Sequence, residues 1–178
     1  MNNPRVTENA WVFGDAQVYG KAVVYGTAQV RGDALVFGKA RVGGDALVFG
    51  NAQIFEDARV FGNAQIFEDA LVGGNVWVGG DARVYENAQV YGKAQVYGKA
   101  VVCEYARVSG DARVDGNARV GGEAEINSNK DWCFIAPDLT VYRSRCAERY
   151  EIRNGEGELI SLETLSEVQL AEFFDWFI

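Results

Sequence analysis

A six-residue period governs most of this chain. From Ala10 to Ala124 one frame recurs without insertion or deletion, reading Ala-x-Val-aromatic-Gly-Asp/Asn/Lys, as in Ala16-Gln17-Val18-Tyr19-Gly20-Lys21. Of twenty units, nineteen begin with Ala, the exception being Val76. The third position is Val in all but three, Ile54, Ile66 and Ile126. Val6, six residues before Val12, marks a partial unit at the start. Ala and Val stand two apart, so they share one side of a strand, while the residues between and after them share the other. The Gly and the Asp, Asn or Lys that follow supply a bend, because Gly and Asn/Asp tolerate positive φ. Every unit runs in the same sense, so hairpins are ruled out. Such a chain can instead coil, each short strand stacking in parallel on its counterpart one turn on. Small, uniform Ala and Val side chains suit the narrow interior of that coil.

These units resemble the bacterial hexapeptide-repeat proteins, over Val6 to about Ser128. The aromatic that follows the Val or Ile in eleven of the twenty units is most similar to the YdcK-like branch of that superfamily, which offers no activity to carry over. The resemblance implies a left-handed β-helix of triangular section with three units per coil. Twenty units then make about 6.7 coils, and the prism stands about 32 Å tall. The predicted fold is therefore all-β: a single-stranded left-handed parallel β-helix over 1–128, followed by a C-terminal element over 129–178. In the latter, Leu139–Arg145 and Arg149–Arg153 alternate like strands, and Asn154-Gly155 signals a hairpin turn before Glu158-Leu159-Ile160. Thr164-x-x-Glu167 reads as a capping box opening a helix from Leu165 to about Phe177. That element is expected to cap the last coil or to serve oligomerisation.

The chain has no histidine. This removes Ser-His-Asp and Cys-His nucleophiles, imidazole bases and histidine metal ligands. The acyltransferases that the resemblance brings in typically use a histidine base and inserted loops, and the related carbonic anhydrases hold their metal with histidines. Neither histidine nor insertion is present, so the sequence predicts no enzyme, no catalytic residue, no cofactor and no metal. An acyltransferase lacking the usual histidine is the alternative. With 17 basic and 25 acidic residues the net charge is −8, which disfavours binding to a nucleic-acid backbone. Three scattered cysteines, Cys103, Cys133 and Cys146, with no secretory signal and no long apolar run, predict a cytoplasmic protein without disulfides and without a membrane partner.

With three units per coil, residues eighteen apart lie above one another. One face then stacks Tyr25, Gly43, Phe61, Gly79 and Tyr97 beside Val23, Arg41, Arg59, Trp77 and Gln95. Rings alternating with glycine would leave notches, and the arginines could pair with phosphate or carboxylate. Tyr25, Arg41, Arg59, Phe61, Trp77 and Tyr97 are the candidate ligand site, for a small nucleotide-like molecule. A second face carries Tyr19, Leu35, Phe37, Phe55 and Leu71, and the third carries Trp11, Phe13, Leu47, Phe49, Phe67 and Tyr85. So much apolar surface points to a partner. The expected homo-oligomer or partner interface joins Tyr19, Leu35, Phe37, Phe55 and Leu71 to Phe173, Phe174, Trp176 and Phe177. One corner stacks Asp15, Asp33, Asn51, Asp69, Asn87 and Glu123, with Glu68, Glu86 and Glu104 beside it. An acidic DNA mimic is the reading that corner supports, while a calcium site lacks the glycine–aspartate loop and an ice-binding face lacks a threonine array. The functional expectation is a non-catalytic binding or scaffold protein that sequesters a host protein or a nucleotide-like ligand, as a phage-type inhibitor does.

Overall fold

The computed structural model describes residues 4–127 with their side chains, and the backbone of 132–136, 139–143, 151–154 and 159–160. Two-residue strands recur every six residues from Arg5–Val6 to Glu125–Ile126 and build three parallel sheets of seven strands each. One sheet, here the Trp77 face, runs from Arg5–Val6 to Arg113–Val114. The Phe67 face runs from Trp11–Val12 to Arg119–Val120, and the Phe37 face from Gln17–Val18 to Glu125–Ile126. Each strand pairs in register with the strand eighteen residues away, as Arg59 does with Trp77 and Val60 with Val78. Three units per coil are thus confirmed. The partial unit at Val6 completes a seventh coil where twenty whole units give about 6.7.

The first residue of a strand and the residue that follows the strand donate their N–H groups to the coil above: Arg59 to the Val76 carbonyl at 2.8 Å, and Phe61 to Val78 at 3.0 Å. Ala and Val point inward, and from Ala22 to Ala112 every one of them in this frame is fully buried. Removing a valine side chain from water contributes about 1.5–3 kcal/mol. No single hexapeptide could hold itself together on that amount, so the core exists only as a stack.

The bends follow a steric rule. Gly62 has φ +68°, and a Cβ there would lie 3.0 Å from both the N and the O of Gly80 in the next coil. Successive corners approach too closely for most side chains. Four glutamates nevertheless occupy this position with positive φ: Glu56, Glu68, Glu86 and Glu104.

After the solenoid the backbone forms a four-stranded antiparallel sheet in chain order: Trp132–Ala136, Leu139–Arg143, Glu151–Asn154 and Leu159–Ile160. The expected hairpin is present, with Ile152 paired to Ile160 and Arg153 to Leu159. It is part of a larger sheet than the sequence predicts, because Trp132–Ala136 is apolar throughout and carries no alternation. The helix expected over Leu165–Phe177 lies outside the described residues, as do Phe173, Phe174, Trp176 and Phe177. Among the described residues, no helix is long and apolar enough to cross a membrane.

Candidate functional site

On the Trp77 face the outward residue of each strand and the residue after the buried Val form two adjacent columns. Arg41 and Arg59 are register partners, and Arg59 is in turn the partner of Trp77. Each arginine lies over a ring: the Arg59 guanidinium carbon is 5.0 Å from the Trp77 ring centroid, and that of Arg41 is 5.7 Å from Tyr25. Phe61 meets Trp77 edge-on, with centroids 6.2 Å apart and planes at 86°, and leans toward Tyr97 at 6.2 Å. The six candidate residues therefore fall into two groups, Tyr25–Arg41 and Arg59–Trp77–Phe61–Tyr97. Trp77 is 40% exposed, and both arginines are exposed. Burial pushes the Tyr97 phenol above its ordinary value, against an opposing pull from Arg113.

The notches expected at the glycines are filled. A Cβ on Gly43 would fall inside the Tyr25 ring, and one on Gly79 would clash with Phe61. Each ring leans along the prism axis over the glycine of the next coil, because that is the one neighbour without a side chain in the way. Both glycines are buried beneath them.

The Phe37 face carries the expected apolar strip. Tyr19, Phe37 and Phe55 stack at 5.0 and 5.4 Å, with planes within 12°. Phe55 covers Gly73 and reaches Tyr91, centroid to centroid 6.3 Å. Leu35 and Leu71 stand beside them, half-buried. On the Phe67 face, Phe49, Phe67 and Tyr85 stack at 4.9 and 4.8 Å, with Arg31 over Phe49. This ladder ends at buried Cys103. Burial first, and then Cys103, push the Tyr85 phenol up, while a hydrogen bond to Cys103 raises the Arg119 guanidinium.

Cys103, Glu86 and Glu104 bring three ligand-type atoms within 4.8 Å of one another. Each of the three already accepts or shares a hydrogen bond. Glu86 accepts the Glu104 N–H at 2.5 Å, Glu104 accepts the Gly122 N–H at 2.6 Å, and Arg119 holds the sulfur. Along the acidic corner, Asn51 donates to Asp69 at 2.8 Å, and Glu68 accepts the Glu86 N–H at 2.9 Å. These carboxylates are tied into coil-to-coil hydrogen bonds.

One concave feature escapes the sequence reading. A groove of about 440 Å³ lies where the corner after the Trp77 face meets the Phe67 face, lined by Asn63, Gln65, Asp81, Arg83, Lys99 and Val101. The available signal was a small residue, Val101, between Arg83 and Arg119 in one column.

Residues 106–122 match the family model for the YdcK β-solenoid repeat. Comparison with curated proteins gives no match. Among solved structures, LpxA from Acinetobacter baumannii is similar at 11% identity and a TM-score of 0.50, covering 97% of this chain and 82% of that one. UDP-N-acetylglucosamine acyltransferase from Campylobacter jejuni is similar at 14% identity and a TM-score of 0.43, covering 99% and 82%. UDP-N-acetylglucosamine O-acyltransferase (LpxA) from Moraxella catarrhalis is similar at 12% identity and a TM-score of 0.35, again covering 99% and 82%. The likeness at this identity is one of fold. It corrects the expectation that the chain is no enzyme, because LpxA from Acinetobacter baumannii has the same scaffold.

Proposed function

On the premise that this chain is a hexapeptide-repeat β-helix protein, we propose that it binds a flat, anionic, nucleotide-like molecule on its Trp77 face and assembles as a homo-oligomer through its Phe37 face. The observation that carries the binding half is the register pair Arg41–Arg59. Like charges directly opposite on a sheet repel, and among the described residues neither guanidinium has a carboxylate partner. Each lies over a ring instead, Arg41 over Tyr25 and Arg59 over Trp77. A stacked guanidinium keeps its N–H edges free, which suits bidentate contact with phosphate or carboxylate. The half-exposed Trp77 indole beside it offers a stacking surface for a planar group. The same face would serve a solenoid that holds its ligand and one that passes a group from it.

The oligomer half is supported by the strip from Tyr19 to Phe55 with Leu35 and Leu71, an apolar band along several coils of one flat face. Calorimetric titration with uridine and adenosine diphosphates, alongside native mass spectrometry of gently purified protein, tests both halves. Arg59→Ala and Trp77→Ala should each abolish nucleotide binding while the melting temperature holds. Unchanged binding in both variants would sink the ligand reading, and a bare monomer at micromolar concentration would sink the oligomer.

A further inference from the structure

The groove at the Asn63–Arg83–Lys99 corner has a simple structural origin. In one outward column of the Phe67 face, Gln65 pairs with Arg83, Arg83 with Val101, and Val101 with Arg119. Val101 is short where its neighbours are long, so the surface dips between two arginines. The adjoining corner column, Asn63, Asp81 and Lys99, forms the second wall. The backbone N–H groups of that wall are all spent on the coil above, Asn63 on Gly80, Asp81 on Gly98 and Lys99 on Gly116. The hydrogen-bond donors of that wall are therefore side chains.

The charges there are unlike those elsewhere on the solenoid. Arg31, Arg41 and Arg59 lie over rings, Arg107 and Arg113 pair with Glu125 and Asp115, and Arg119 holds Cys103. Among the described arginines from Arg31 to Arg119, only Arg83 has no ring, carboxylate or thiol partner, and it is the one that lines the groove. Lys99, exposed in the other wall, has no ion-pair partner among the described residues either. Asp81 is occupied on one oxygen by the Asn63 amide, at 2.9 Å.

We propose that this groove is a second binding site, separate from the Trp77 face, for a phosphorylated polyol or sugar. Two unpaired cations match a phosphate dianion: the Arg83 fork takes two of its oxygens, and the Lys99 ammonium a third. The Gln65 and Asn63 amides and the free oxygen of Asp81 provide donors and acceptors that suit hydroxyl groups. Val101 gives the short apolar floor on which the C–H face of a sugar ring rests. The volume is in the range of a small-molecule site.

The test is calorimetric titration of the intact chain with glucose 6-phosphate, glucose and inorganic phosphate, each to about 10 mM. Glucose 6-phosphate should bind saturably and more tightly than either fragment. Arg83→Gln should weaken it at least about tenfold, and Lys99→Asn about threefold to tenfold. The repeat itself places Gln65 and Gln29 in the Arg83 column, and Asn63 and Asn117 in the Lys99 column, so both variants retain the fold. Lys93→Asn, in an exposed corner outside the groove, should leave this binding unchanged. Absence of saturable binding, or binding indifferent to Arg83→Gln and Lys99→Asn, overturns the site. Inorganic phosphate binding as tightly as glucose 6-phosphate overturns the polyol half.

Discussion

The carboxylate of Glu86 accepts the backbone N–H of Glu104, one coil above it, at 2.5 Å. Glu68 does the same for Glu86, and Glu104 for Gly122. A glutamate in this corner therefore offsets its left-handed backbone by supplying an acceptor to the next bend. Glu86→Ala keeps the positive φ and loses the acceptor, so chemical denaturation should show a loss of about 1–2 kcal/mol. Glu86→Gly relieves about 1 kcal/mol of backbone strain and should be close to neutral. Equal losses in both variants would show that the hydrogen bond, and not the φ angle, dominates.

The ring of Phe61 occupies the space above Gly79. Gly79→Ala should cost about 1–3 kcal/mol by forcing that ring aside. Combining it with Phe61→Ala should recover part of the loss, since the clash partner is gone. Additive effects in the double-mutant cycle would mean that the ring does not lean over the glycine.

Val60 is fully buried in the middle of the stack. Val60→Asp places an unpaired carboxylate in a core with no polar partner, so it should cost about 4 kcal/mol or more and leave little folded protein at 37 °C. A mild change in thermal melting would contradict the inward frame.

Alkaline pH should destabilise the solenoid through its tyrosines. Burial pushes the phenols of Tyr91 and Tyr97 up, with Arg107 and Arg113 opposing. A folded pKa above the unfolded one makes the stabilising contribution complete below about pH 10. It is lost as the pH climbs from there through the folded value. Melting temperatures measured from pH 9 upward should fall, and Tyr91→Phe with Tyr97→Phe should shallow the fall. An identical decline in the double variant would remove these two groups as its cause.

How much of this was legible beforehand differs by region. The inward Ala and Val columns could be placed by counting in sixes; the three-unit coil came from the family resemblance, and only with it could the stacked rings of Tyr19, Phe37 and Phe55 be placed by counting in eighteens. The strand Trp132–Ala136 could not, because it lies past the periodic segment and its pairing with Leu139–Arg143 leaves no local alternation to read. The candidate ligand residues share one face. Their division into two groups depends on which way each guanidinium and ring leans.

The sequence alone determined the backbone of the solenoid. An unbroken six-residue frame with one small and one branched apolar residue per unit buries every unit by stacking coil on coil, with the three units per coil supplied by the family resemblance. The tertiary structure decided what the outward side chains do. Rings settle over Gly43, Gly73 and Gly79, all but one of the arginines from Arg31 to Arg119 find a partner, and a short Val101 opens a groove beside the one that does not. The reason is physical. The period fixes where each Cα lies, while an outward side chain chooses its rotamer from the space its neighbours one coil away leave open. That space depends on residues eighteen positions apart taken together, and no single hexapeptide contains it.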